Sequence, residues 1–260
     1  MSEWLQLVIT MSAACAVVLT VTLLSHRRRA ARVAQGSGEE HHTEIPDVLE
    51  YMTMMVAVVY AIVLGLAIAG VWEARSSSQD DVRREAQALY EIGRRVEVLP
   101  LASRERIRAD IDRYVAHVVH EEWPRMIDGQ EFPERGRELL NGLRARLAQR
   151  DPTNDLEAQA YQPVLDQVAL VDELRTAREQ NAGATLPSVV WFGLLVGAVT
   201  TVGFIFAMRI GRSYRELLFA CLLSALITFL LYLVWDFDAP FGRSGSGSAE
   251  PFRQLFPGAL

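Results

Sequence analysis

The stretch "HVVHEEW" sets His117, His120 and Glu121 at i, i+3 and i+4. On a helix these residues share a face, and imidazole with carboxylate is a ligand set for Zn²⁺. The order is neither HExxH nor HxxEH, and no further ligand is evident. The plainer reading is a polar helix face that ends at Trp123. "EEHHTE" at 39–44 offers similar donors, but in an irregular stretch interrupted by Gly, Ser and Pro. There is no GxSxG elbow, Walker loop or GxGxxG turn, and no cysteine–histidine pair placed for nucleophilic catalysis. An enzyme is not expected, nor a metal or cofactor.

Long apolar runs surround these residues. Half of the 260 residues are hydrophobic, and the excess lies in four blocks at 5–24, 52–72, 189–208 and 217–235. About 20 apolar residues at 1.5 Å rise cross a ~30 Å hydrocarbon core. Four such blocks are hard to bury in a soluble fold. The expected fold class is therefore an all-α integral membrane protein, with four transmembrane helices and a helical polar insert between the second and third. Its parts are a first transmembrane segment at 1–24, a linker at 25–51, a second helix at 52–72 and a polar domain at 73–187. A third helix at 188–208, a loop at 209–216, a fourth helix at 217–235 and a tail at 236–260 follow. The first block starts with Ser2 and Glu3 rather than basic residues, and four arginines follow it, so a retained anchor is expected rather than a cleaved leader. Cys15 and Cys221 both fall inside apolar blocks, where a free thiol acts as a small hydrophobe.

Within the insert, apolar residues recur at helical spacing. Val82, Ala86, Leu89, Ile92 and Val96 mark a helix over 78–98, with Ser78 and Asp81 resembling a capping box. Pro100 closes it. Ser103 is placed to cap a second helix with Ile107, Ile111, Tyr114 and Val118 on one face, which Pro124 breaks. Leu139, Leu140, Leu143 and Leu147 mark a third over 134–149. Tyr161, Val164, Leu165, Val168, Val171 and Leu174 mark a fourth over 154–180, where Pro163 either bends the helix or sets its true start. One apolar face per helix calls for packing into a bundle or against neighbouring subunits.

The net charge is −6, and the insert interleaves acids with arginines, so nucleic acid is not an expected partner. The arginines nearest membrane ends are Arg27, Arg28, Arg29 and Arg32 after the first block, and Arg209, Arg212 and Arg215 between the last two. The positive-inside rule puts those two loops in the cytoplasm and the insert outside it. Arg75, Arg83, Arg84, Arg175 and Arg178 flank the insert and pull the other way, but acids accompany them.

The central portions of the apolar blocks hold no charge, unlike proton pumps and ion-coupled transporters. Gly193 and Gly197 form a GxxxG step, and Gly65, Ala67, Ala69 and Gly70 with Tyr60 line one stretch of the second helix. Small residues let helices approach closely, so these residues serve either helix packing or a narrow apolar path.

Five segments occur in order: "VYAIVLGLAIAGVWEA", "REAQALYEIGRR", "YVAHVVHEEWPRM", "LPSVVWFGLLVGAV" and "DFDAPFGRSGSGSAEPF". Beyond residue 45 the chain resembles the bestrophin-like family of bacterial membrane proteins. Trp72, Glu122, Trp123, Pro124, Asp238, Pro240, Phe241 and Gly242 carry the resemblance and are expected to be structural. It implies remote kinship with bestrophins, which are pentameric anion channels with a pore along the second membrane helix and an insert in the cytosol. The candidate pore-lining residues by this kinship are Tyr60, Val63 and Leu64, without a matching motif. Some bestrophins bind Ca²⁺ after the fourth helix. Asp236 and Asp238 stand there, too few alone for the 6–8 oxygens Ca²⁺ takes. The function implied is an oligomeric anion channel in a bacterial cell membrane, multi-pass, with the lipid bilayer, further copies of the chain and an anion as partners. The alternative is a membrane-anchored sensing or protein-interaction scaffold without transport. Phe241 and Phe252 are the large apolar anchors of the tail, which is expected to fold back. Phe241 would then lie at the membrane surface, and Asp238 would accept backbone N–H groups or pair with Arg75.

Overall fold

A computed structural model describes residues 9, 12, 20, 47–128, 130–149, 152, 154–207, 214–241 and 249–259. Most of the first apolar block, the arginines that follow it, the "EEHHTE" stretch, Arg209, Arg212 and Gly242 lie outside the described residues. The described elements are all helices: α1 (Asp47–Arg95), α2 (Leu101–His117), α3 (Trp123–Ile127), α4 (Glu134–Ala148), α5 (Asp155–Gln180), α6 (Ser188–Ala207), α7 (Tyr214–Phe237) and α8 (Glu250–Leu255). They belong to two compact units. One comprises Met1–Val71 and Leu186–Phe237, the other Trp72–Thr185 and Asp238–Leu260.

In the first unit, Tyr60, Leu64, Ala67 and Val71 of α1 form a buried stripe at spacings of 4, 3 and 4. They pack with Leu194 and Ala198 of α6 and with Ile227 and Val234 of α7. The outward faces are also apolar: Ile62, Val63 and Leu66, Phe192 and Leu195, Phe219 and Leu222 are all exposed. Surface of this kind fits hydrocarbon rather than water. Tyr51–Val98 and Leu218–Phe237 are long and apolar enough to cross a membrane, and Ser188–Phe204 is a shorter apolar helix.

The second membrane block and the first insert helix are one unbroken helix of 49 residues. Ser78 does not cap a new helix. Its hydroxyl donates to the Ala74 carbonyl one turn back, 2.8 Å away, so the serine-rich stretch continues the helix. The helix ends where a short 3-10 turn, Val96–Val98, leads into extended Leu99 ahead of Pro100, as sterics before proline require. Pro100, rather than Ser103, occupies the N-cap of α2. Nor does Pro124 break the second insert helix. A π-turn at Val118–Glu122 widens the helix and delivers Pro124 into the first turn of α3, where a missing N–H costs nothing. Asn154 caps α5 by accepting the Glu157 N–H at 2.8 Å, so Pro163 lies inside that helix and does not set its start.

The apolar stripes of α1, α2, α4 and α5 meet in one core with Trp123 and Met126. The tail folds back into that core. Phe241 and Phe252 are buried, with ring centroids 5.9 and 6.4 Å from Trp123, both edge-on. Phe241 is therefore an anchor of the polar unit's core. Asp238 is also buried, and its backbone carbonyl accepts the Thr185 N–H at 2.9 Å. Trp123→Ala would strip the aromatic cluster of its centre. Thermal unfolding of the purified protein should show a loss on the order of 3–5 kcal/mol; unchanged stability would mean the indole is not core.

Candidate functional site

The polar unit encloses a cluster of charges. Glu85 on α1, Tyr114 on α2, Glu122 at the end of the π-turn, and Arg175 and Arg178 on α5 are all buried. The Arg178 guanidinium lies across both carboxylates. Its Nε and Nη2 donate to Glu85 Oε2 and Oε1 at 2.9 and 3.1 Å, and Nη2 also donates to Glu122 Oε2 at 2.8 Å. Arg175 donates from Nε and Nη2 to Glu122 Oε1 at 3.0 and 2.8 Å, and from Nη2 to the Pro133 carbonyl at 3.3 Å. The Tyr114 hydroxyl donates to Glu85 Oε1 at 2.7 Å. Two carboxylates face two guanidiniums, so this inner group carries no net charge.

Aromatic faces shield the cluster. The Arg178 guanidinium lies 5.1 Å from the Phe132 ring centroid and 5.9 Å from that of Trp123. Burial alone would lower the pKa of either arginine. Glu85 and Glu122 outweigh burial at Arg178, as Glu122 does at Arg175, and hold both above the usual guanidinium range. Burial, reinforced by the Glu85 carboxylate, pushes the Tyr114 phenol well above its ordinary value. The phenol stays a hydrogen-bond donor at any physiological pH. Because charges are buried on three elements, removing one partner strands another, which typically costs 3–5 kcal/mol.

Sequence reasoning reached Glu122 through the family motif but missed Glu85, Tyr114 and both arginines as its partners. Arg175 and Arg178 entered only as charges flanking the insert; they are in fact buried inside it. The signal was present. The buried stripe of α5 runs Val164, Val168, Val171, then Arg175 and Arg178, at spacings of 4, 3, 4 and 3. On α1, Glu85 sits between Val82 and Leu89 at the same spacing. A charge standing where a stripe demands an apolar residue needs a buried partner.

Of the remaining motif residues, Trp123, Asp238, Pro240 and Phe241 are buried, whereas Trp72 and Pro124 are exposed. His117 is buried and His120 exposed. Among the described residues no group of three or more His, Cys, Asp or Glu is arranged to hold a metal ion.

In the membrane-type unit, Tyr60 and Val63 line an open hollow of about 390 Å³ with Met55, Val56, Val59, Gly193, Gly197 and Thr200. Leu64 faces the core instead. Gly197 is glycine for a steric reason: any Cβ there would strike the Tyr60 ring.

A helical unit with apolar outer faces and a polar helical unit knit by buried charges define a membrane protein. The chain belongs to the bestrophin-like family: the model of the Bestrophin-like domain matches residues 12–252. The fold is similar to crystal structures of two variants of a bacterial bestrophin homologue from Klebsiella pneumoniae, each with a TM-score of 0.69 and 12% identity. They cover 98% and 97% of this chain and 99% and 98% of the homologue. A crystal structure of a membrane protein variant is similar at a TM-score of 0.67 and 11% identity, covering 98% of both chains. At such identities the likeness is one of fold. Comparison with curated proteins gives no match.

Gly136 tests the cluster without touching a charge. A Cβ on this α4 residue would collide with Glu122 Oε1 and crowd the Arg175 guanidinium, whereas one on Gly142 of the same helix meets nothing within 4 Å. Gly136→Ala should therefore cost about 1–3 kcal/mol. Gly142→Ala should be neutral or gain up to about 1 kcal/mol. Equal stabilities for the two variants, measured by unfolding, would contradict the packing described.

Proposed function

We propose that the chain is one subunit of an oligomeric, four-span pore for anions in a bacterial cell membrane. The observation that supports this reading best is the membrane part of α1. It is uncharged between Met52 and Trp72, and its Tyr60 and Val63 border an open hollow. An apolar constriction can gate ions by dewetting, without a charged filter. Bestrophin kinship supplies the preference for anions and the ring of subunits. The alternative, a membrane-anchored scaffold without transport, draws on the contact between Tyr60 and Gly197, which also suits plain helix packing.

The purified protein reconstituted in liposomes decides between them. A pore gives chloride flux that rises in Val63→Ser, together with a particle in nanodiscs larger than a dimer. A monomer that passes no chloride in either form selects the scaffold.

We place the polar unit outside the cytoplasm, on the strength of the arginines at 27–32 and 209–215. Gln130 is exposed on that unit. Gln130→Cys in a chain lacking Cys15 and Cys221 should react with an impermeant maleimide in intact cells. Protection until lysis would reverse the topology.

A further inference from the structure

The membrane part of α1 carries three aromatic residues, and burial divides them by position. Tyr60, near the middle, is buried in the packed stripe, whereas Tyr51 and Trp72, at the two ends, are 66% and 57% exposed. The stretch between those ends holds no charge, and Glu50 and Glu73 adjoin it on either side. Its exposed midsection is aliphatic, with Val58, Ile62 and Leu66. Tyr51, Ile62 and Trp72 are 11 and 10 residues apart, close to three turns each. They share the face turned away from the buried stripe.

The ends of the membrane-type unit fall at the same residues. Trp72 directly follows Val71, the last α1 residue of that unit. On α7, Trp235 is exposed, stands 5.6 Å from Tyr232 between ring centroids, and precedes by two residues the end of the unit at Phe237. Tyr51 and Trp72 are 21 residues apart, as are Tyr214, the first residue of α7, and Trp235. At 1.5 Å per residue that is about 32 Å, which matches a ~30 Å hydrocarbon core.

An indole or phenol has an apolar body and one polar N–H or O–H. In water the body is left exposed, and in hydrocarbon the polar group is left unpaired. Both are satisfied where acyl chains meet headgroups. We infer that Tyr51, Trp72 and Trp235 dock on that boundary of a phospholipid bilayer and fix the depth and rotation of α1 and α7 within it. The partner chemistry is the glycerol and ester region, whose oxygens accept N–H and O–H donors. The inference rests on α1 and α7 crossing the bilayer and is independent of ion conduction.

Fluorine NMR of the full chain in nanodiscs, labelled with fluorotryptophan, tests this assignment. Trp72→Phe and Trp235→Phe identify the two resonances by their loss, and Ile62→Trp adds a reporter midway along the same face of α1. The lipids carry a nitroxide either near the headgroup or at the end of the acyl chain. The Trp72 and Trp235 resonances should lose more intensity to the nitroxide near the headgroup, and the Ile62→Trp resonance more to the one at the chain end. A Trp72 or Trp235 resonance that loses nothing to either lipid, or more to the chain-end nitroxide, overturns the inference. An intensity loss at Ile62→Trp beside an untouched Trp72 sinks the inference alone. If Ile62→Trp is also untouched, that face of α1 does not meet lipid, and the inference falls together with the span it rests on.

Discussion

The Glu122 carboxylate is shared by two arginines on one helix, and the polar unit depends on that sharing. Oε1 takes Arg175 and Oε2 takes Arg178, from positions 53 and 56 residues further along the chain. Arg178 then passes the connection to Glu85 on α1. Three sequence-distant elements are thereby fixed at one point, in register, by charge-assisted bonds between buried side chains. Such a cluster is not a cheap source of stability, since apolar residues of the same volume often do as well. Its effect is on uniqueness: an apolar stripe tolerates slippage by a turn, whereas a guanidinium fork matched to two carboxylates does not.

Other features follow from that point. Gly136 leaves room for the Glu122 carboxylate beside α4. The π-turn before Trp123 brings Glu122 inward and, one residue later, points the indole at Phe241 and Phe252. The tail's aromatic anchors thus dock on the residue adjacent to the charge hub. The same α1 that holds Glu85 carries Tyr60 and Val63 in its membrane part, so one continuous helix bears both candidate functional features.

Much of this was legible in the sequence. The helical class, the apolar blocks and the stripes of the insert follow from hydrophobic periodicity, and the family from its motifs. Misreadings arose where local signals were ambiguous. Ser78 looked like a helix start because serine caps well, yet a serine hydroxyl can also bond back to the turn before it, as that of Ser78 does. Pro124 looked like a stop because a proline lacks an N–H, and periodicity gives no warning of a π-turn upstream. Phe241 lay next to a membrane helix in sequence, and only tertiary packing assigns it to the polar core. The buried arginines escaped because charge was counted by position along the chain rather than by helix face.

A double-mutant cycle on Glu122 and Arg175 measures the sharing directly. Equilibrium unfolding of wild type, Glu122→Gln, Arg175→Met and the double variant would be compared in one detergent. The account predicts that the double variant is no less stable than the worse single variant, with a coupling above about 1 kcal/mol. Losses that simply add would contradict it.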